Sequence, residues 1–98
     1  MAVEEDVVLY HTHPNGGGWV AVTAEVAPTA FVAPDARVEG RARVLGAAEI
    51  LDRARVSGDA RVSGRARVSG DAWVHGDAEV SGEARVSGRA EVAGRMRL

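Results

Sequence analysis

An aliphatic residue recurs at every sixth position from Val20 to the last residue, with no insertion. The series is Val20, Val26, Val32, Val38, Val44, Ile50, Val56, Val62, Val68, Val74, Val80, Val86, Val92 and Leu98. Alanine stands four residues after each of these positions, and Met96 is the one departure. Thirteen complete hexads therefore follow one another, and this regularity indicates one short structural element repeated many times.

Each hexad predicts one strand followed by one corner. In the hexad that begins at Ala60, Ala60 and Val62 are two residues apart, so an extended chain points both to the same side and Arg61 to the other. Ser63-Gly64 then supplies a corner, and Gly accepts the positive φ that a sharp turn requires. A helix is excluded because six is not a multiple of 3.6 and each repeated Gly would cost about 1 kcal/mol relative to Ala.

The pattern aliphatic, x, x, x, small, x resembles the hexapeptide-repeat family of left-handed parallel β-helices, in which three hexads form one triangular coil. This resemblance covers residues 20–98, and Gly16-Gly17-Gly18-Trp19-Val20 is similar to the entry segment of bacterial and phage proteins assigned to the hexapeptide acyltransferases. It implies an all-β fold, a single-stranded left-handed parallel β-helix of about four coils. The right-handed solenoid of the bactofilin filament proteins is the alternative. We expect an N-terminal extension, cap or swap segment at residues 1–19 and the β-helix at 20–98.

Composition supports a narrow core and excludes several classes of site. The apolar fraction is 46%, nearly all Ala and Val, and such small side chains fill a thin lumen better than a round core. There is no Cys, which excludes disulfides and thiolate metal sites. An acidic start and the lack of a long apolar run predict no secretory signal and no membrane span, so we expect a cytoplasmic protein.

Charge is distributed unevenly along the chain. Residues 1–36 contain five acids and no Arg or Lys, whereas residues 37–98 contain nine acids and twelve Arg. Residues 18 apart should stack in successive coils, which predicts charge ladders along Asp35, Arg53, Asp71 and Arg89 and along Arg41, Asp59, Asp77 and Arg95. Because the arginines are interleaved with acids, we expect no nucleic-acid binding.

The ends of such a solenoid are unprotected sheet edges, which favour pairing with another copy. We therefore predict a non-catalytic structural protein that self-associates, head-to-tail through its ends, into oligomers or filaments. A side-by-side trimer, or a chain that is part of a longer protein, is the competing interpretation. The residues predicted to mediate self-association are Val7, Val8, Leu9, Tyr10, Val92, Arg95, Arg97 and Leu98.

The family resemblance also implies the alternative function, a minimal or degenerate trimeric acyltransferase that uses acyl-CoA. Such enzymes resemble one another in having loop excursions and a catalytic His. Here no loop interrupts residues 20–98, and His75 is the only His in the coils. It stands where five other hexads have Ser, so a solvated corner residue is the favoured interpretation and a general base is the alternative. We predict no cofactor and no small-molecule partner.

Two aromatic residues and two further histidines are candidates for contacts. Trp73 occupies an outward position at mid-face, where it either stacks on the Arg55 guanidinium one coil away or contacts a partner. We expect Phe31 to pack against the N-terminal segment. His11 and His13 lie on one side of a predicted strand, but no third ligand is nearby, so we predict no metal site.

Overall fold

The computed structural model describes residues 9–97, which form fourteen short β-strands and no helix. The strands are β1 (Tyr10–Thr12), β2 (Trp19–Ala21), β3 (Glu25–Val26), β4 (Phe31–Val32), β5 (Arg37–Val38), β6 (Arg43–Val44), β7 (Glu49–Ile50), β8 (Arg55–Val56), β9 (Arg61–Val62), β10 (Arg67–Val68), β11 (Trp73–Val74), β12 (Glu79–Val80), β13 (Arg85–Val86) and β14 (Glu91–Val92). Residues 9–97 contain no helix long and apolar enough to cross a membrane.

The strands stack into three parallel sheets that form the faces of a solenoid. Face A contains β2, β5, β8, β11 and β14, face B contains β3, β6, β9 and β12, and face C contains β4, β7, β10 and β13. Paired residues are 18 positions apart, as in Val38 opposite Val56, so one coil is three hexads. The predicted all-β solenoid of about four coils is confirmed, and its left hand stays an implication of the family resemblance.

The core is a thin column of Ala and Val, as the small side chains require. Alanines from Ala30 to Ala78 and the aliphatic residues from Val32 to Val80 are fully buried on the sixfold register. Val92, in the last coil, is 3% exposed, whereas Met96 is 48% exposed. Each interior side chain thus packs against its equivalents one coil above and below.

The corners have the left-handed backbone conformation that the repeated Gly predicts. Gly64, for example, has φ = 69°. Asp52 adopts φ = 57° at a corner where most hexads have Gly, and its Oδ2 accepts a hydrogen bond from the Gly70 N–H at 2.9 Å. The Asp side chain therefore bonds to the corner one coil away, which offsets the strain of its positive φ.

Residues 9–18 lie across the N-terminal edge of the first coil. Strand β1 pairs antiparallel with β2 on face A, and the Val22 N–H donates to the Leu9 carbonyl. On face C the Gly18 N–H donates to the Val32 carbonyl, and the Val32 N–H donates to the Asn15 carbonyl. Among residues 9–97, no strand lies beyond β3 on face B. Val7, Val8 and Leu98 lie outside the described residues.

Candidate functional site

Arginines on faces B and C are held by glutamates one coil away. Their guanidinium-to-carboxylate distances are 3.6 Å for Arg43–Glu25, 3.7 Å for Arg61–Glu79, 3.1 Å for Arg97–Glu79 and 3.1 Å for Arg67–Glu49. These exposed pairs each contribute less than about 1 kcal/mol, but they favour the register in which the coils stack. Most outward charge on these two faces is thus used within the solenoid.

Face A has a different central column, which consists of Trp19, Arg37, Arg55, Trp73 and Glu91. Arg37 lies directly opposite Arg55, an arrangement of like charges that destabilises a sheet. The ion pair of Arg37 is with Glu39 in its own hexad, at 3.7 Å. Arg55 forms no ion pair with any residue from 9 to 97.

A cluster of polar and aromatic side chains lies toward the C-terminal end of face A. The indole Nε1–H of Trp73 donates to Ser57 Oγ at 2.9 Å, and the indole stacks on the His75 ring with 4.0 Å between centroids. His75 Nε2 lies 2.7 Å from Glu91 Oε2. Trp73 therefore stacks on His75, whereas the sequence analysis considered a stack on Arg55. The carboxylate that orients His75 is one the sequence analysis did not identify.

A second aromatic group lies at the N-terminal end of face A. Tyr10 and Trp19 meet edge to face with 6.4 Å between ring centroids, and Trp19 is 46% exposed. The Tyr10 hydroxyl donates to Glu39 Oε2 at 2.9 Å. Partial burial raises the pKa of Tyr10, and the hydrogen bond to Glu39 and the charge of its carboxylate act in the same direction. Together with Arg37, the two rings line a shallow apolar hollow.

Trp19 is the residue of this face that the sequence analysis missed. It immediately precedes Val20, the first residue of the aliphatic series, and so occupies the same mid-face position as Trp73 and Phe31. Extending the six-residue register one position toward the N-terminus would have identified it. Both tryptophans of the protein consequently lie on face A.

The remaining aromatic and histidine candidates lie apart from this column. Phe31 is half-buried at the N-terminal end of face C, next to the backbone of Gly16. His11 is exposed, whereas His13 is 4% exposed and its Nε2 lies 2.9 Å from the Ala30 carbonyl oxygen. No group of three or more metal-binding side chains is present among residues 9–97. His13 therefore has a structural contact, which fixes residues 13–18 to the first coil.

The predicted charge ladders form in part. Arg53 contacts Asp71 at 3.3 Å and Arg41 contacts Asp59 at 3.6 Å. At the C-terminal end, Val92 lies in edge strand β14, Arg97 bridges back to Glu79, and Arg95 is exposed. Arg95 and Arg97 also line a polar surface depression with Asp59 and Asp77.

The comparisons with known proteins agree with the repeat architecture. The model of the YdcK beta-solenoid repeat matches residues 54–64 and 60–76, which lie in β8 to β11 and their corners. The chain is therefore similar to a β-solenoid repeat family over its central coils. Neither the curated proteins nor the solved structures gave a significant match.

Proposed function

We propose that this chain is a structural β-solenoid that self-associates along its axis, with the last coil of one copy stacking on the first coil of the next. The observation that carries the proposal is the charge order on face B. Its central column begins with Glu25, proceeds through Arg43, Arg61 and Glu79, and reaches Arg97. A second copy in the same register would place its Glu25 one coil beyond Arg97, as Glu79 lies one coil beyond Arg61 within the chain.

Backbone hydrogen bonds on face B support the same register. The Glu25 N–H donates to the Ala42 carbonyl, and the Glu79 N–H donates to the Met96 carbonyl, 17 residues along in each case. If this 17-residue interval continued across the contact between copies, the Arg97 N–H would donate to the Ala24 carbonyl of the next copy. The Ala24 carbonyl accepts no backbone hydrogen bond from residues 9–97, so this acceptor is available to a neighbour.

The charges of the end coils are complementary as well. Residues 9–36 carry Glu25 and Asp35 with no Arg, whereas residues 81–97 carry four Arg and two Glu. Oppositely charged surfaces accelerate association and select one orientation, and a heterologous contact of this kind propagates into rings or filaments. Tail-to-tail contact would instead bring the arginines of both copies together.

Axial stacking in this register requires strand β1 to leave the first coil. Strand β1 occupies the place on face A where β14 of a preceding copy would lie. On face C the preceding copy ends at β13, two coils from β4 of the next copy, so residues 13–18 can keep their place between them. We therefore propose that β1 is released on assembly and that β14 of one copy replaces it on the next. The cost of releasing β1 limits assembly at low protein concentration.

Sedimentation velocity over a concentration series at low and high salt, with negative-stain microscopy, tests the proposal. We expect elongated species that shorten at high salt, because exposed charge pairs are screened. Arg97→Glu should suppress them, and adding Glu25→Arg to Arg97→Glu should restore them. Arg65→Glu is the matched control, since Arg65 is an exposed arginine remote from both ends.

A reversible disulfide between β1 and β2 tests separately whether β1 must be released for assembly. Tyr10 and Ala21 are register partners in the β1–β2 pair, so Tyr10→Cys with Ala21→Cys should form a disulfide that holds β1 in place. We expect this variant to remain monomeric until a reductant is added. A compact trimer that is insensitive to salt and to the lock would contradict axial assembly.

The contact between His75 and Glu91 favours acyl transfer from acyl-CoA as a second candidate function. A carboxylate 2.7 Å from Nε2 orients the imidazole as a general base requires. Equilibrium binding of CoA together with acetyl-CoA turnover tests this function. Defined CoA binding with loss of turnover in His75→Gln would support it, and the absence of CoA binding would exclude it.

A further inference from the structure

We propose that face A pairs with face A of a second copy, so that two solenoids lie side by side with their axes antiparallel. A twofold axis that runs parallel to the strands, between β8 and β11, relates the two copies. Strand β8 of one copy then faces β11 of the other, and β5 faces β14. The contact is on the side of the solenoid, so the inference does not rest on axial stacking through the ends.

Two outward columns of side chains run next to each other along face A. The first is the ladder of Asp35, Arg53, Asp71 and Arg89, and the second is the central column of Arg37, Arg55, Trp73 and Glu91. The two columns share one surface, since Asp35 and Arg37 line the same shallow depression. The other ladder belongs to face B, where Asp77 lines a depression with Glu79. Face A therefore presents acids and arginines in alternation and is not a cationic surface.

The order of charges in the ladder selects a second copy as the occupant. It alternates acid, arginine, acid, arginine along the solenoid, so an antiparallel copy places opposite charges against each other. Asp35 faces Arg89 of the second copy, Arg53 faces Asp71, and the twofold axis repeats both contacts. Within one chain Arg53 contacts Asp71 at 3.3 Å, whereas neither Asp35 nor Arg89 forms an ion pair with any residue from 9 to 97. Complementary charge of this kind favours one partner and one register.

The central column fits the same register. Arg55 meets the indole of Trp73 of the second copy, and the ring attracts a guanidinium group. Trp73 is 39% exposed, and its hydrogen bond to Ser57 fixes the ring before contact. Arg37 contacts Glu39 in its own chain at 3.7 Å, so its place opposite Glu91 adds no strong pair but brings no like charges together.

The two neighbouring registers bring like charges together. Centring the twofold axis on β8 places Arg53 against Arg53 and Arg55 against Arg55. Centring it on β11 places Asp71 against Asp71, and Arg53 against Arg89. Like charges across an interface exclude a partner arrangement, so the charge order specifies the register between β8 and β11.

The size of the contact sets its strength. It spans β5, β8, β11 and β14, about 19 Å along the axis at about 4.8 Å per coil, and one hexad is at most about 20 Å wide. This area is about half of the roughly 800 Å² per partner that stable interfaces bury. We therefore expect a weak pair that forms in concentrated protein and dissociates on dilution.

Single cysteines report the contact, because the chain has no Cys of its own. Ser57, Ser63 and Ser69 occupy the same hexad position on faces A, B and C and are equally half-buried. Across the proposed contact the two copies of residue 57 lie about 4.8 Å apart along the axis and about 10 Å apart between sheets, within reach of a short bis-maleimide. In an axial stack they would be far beyond that reach.

Crosslinking is measured at about 1 mM protein in an Arg97→Glu background, which suppresses axial stacking. We expect Ser57→Cys to give a covalent dimer whose yield falls as salt is raised. Ser63→Cys and Ser69→Cys, the matched controls, should each give roughly fivefold less dimer, since random collision alone brings those faces together.

Charge reversal with rescue then tests the register. Asp35→Arg should lower the Ser57→Cys dimer yield by roughly fivefold, and adding Arg89→Asp should restore it to within about twofold. Asp35 and Arg89 are three coils apart within a chain, about 14 Å, so a rescue reports a contact between copies. Asp77→Arg, an exposed acid at the same hexad position on face B, should change the yield less than about twofold.

Three outcomes would overturn the proposal. These are equal crosslinking at residues 57, 63 and 69, no dimer with Ser57→Cys, and a loss with Asp35→Arg that Arg89→Asp does not restore. The first would assign dimers to random collision, and the third would assign the loss to overall charge. Circular dichroism of every variant verifies that the solenoid is intact.

Discussion

The corner glycines offer a quantitative test of how the coils are held together. Gly64 and Gly82 occupy the same corner in successive coils, with φ of 69° and 64°. A Cβ added at Gly64 would lie 2.8 Å from the Gly82 carbonyl oxygen and 2.9 Å from its nitrogen, whereas a Cβ at Gly82 would meet no heavy atom within 4 Å. The two positions therefore share backbone strain but differ in steric contact.

The magnitudes follow from this difference. Alanine in the left-handed region costs about 1–2 kcal/mol, partly offset by about 0.4–1 kcal/mol from the reduced entropy of the unfolded chain. Gly82→Ala should thus destabilise by about 1 kcal/mol. Gly64→Ala adds the cost of forcing two coils apart, about 1–3 kcal/mol for an overpacked contact. We expect Gly64→Ala to lower Tm by at least about 5 °C more than Gly82→Ala does.

Urea and thermal unfolding followed by far-ultraviolet circular dichroism measure both variants. Because Gly82 lies in the last coil, Gly46→Ala supplies an interior comparison: its Cβ would lie 3.1 Å from the nearest backbone atom, so its cost should fall between the other two. Equal destabilisation at Gly64 and Gly82, or a larger loss at Gly46 than at Gly64, would refute the argument that close coil contact sets the cost.

Two further predictions concern the N-terminal strand and the core. Because the pKa of Tyr10 is raised in the folded protein, the stability that its protonated hydroxyl contributes is complete below the unfolded pKa of 10.0 and is lost as the pH rises through the folded pKa. The absorbance of the Tyr10 phenolate should therefore titrate above pH 10.0. Glu39→Gln should lower the midpoint of that titration. Val62→Ala, in the fully buried middle of the column, should lower the free energy of unfolding by about 2–3 kcal/mol. Val92→Ala, which has fewer described neighbours, should lower it by about half as much. Denaturant unfolding measures both losses, and equal losses would contradict coil-by-coil packing.

The interior of this protein could be predicted from its sequence because one rule governs every coil. The Ala and Val of the hexad that contains Ala60 and Val62 recur every six residues, a period that only an extended chain with regular corners can satisfy. Strands 18 residues apart therefore stack in parallel. Asp52 shows where the rule allows substitution: it stands at a corner where most hexads have Gly, and its carboxylate accepts a hydrogen bond from the Gly70 N–H. Such a bond depends on the spatial neighbour one coil away.

The N-terminal segment and the face A cluster could not be predicted in the same way. Residues 1–19 were expected to form an extension, cap or swap segment, but nothing in their sequence specifies that β1 pairs antiparallel with β2. That pairing depends on Gly16 and Gly18 allowing close approach to Val32. For His75 the sequence offered Ser at equivalent corners and no orienting group. Its partner Glu91 is 16 residues away, so the two side chains occupy different positions of the hexad and do not stack in one column.

Departures from the repeat are therefore the most informative positions for function. The inward Ala and Val columns determine the fold, and the outward mid-face position is free to vary because solenoid stability depends mainly on contacts between adjacent coils. Where that position holds Arg or Glu on faces B and C, the pairs between coils account for most of the charge. Trp19 and Trp73 form no pair of that kind: Trp19 packs edge to face against Tyr10, and Trp73 stacks on His75 and donates to Ser57. The central column of face A therefore lacks the Arg–Glu pairs between coils that favour register on faces B and C, and its aromatic side chains contact neighbours on the same face instead.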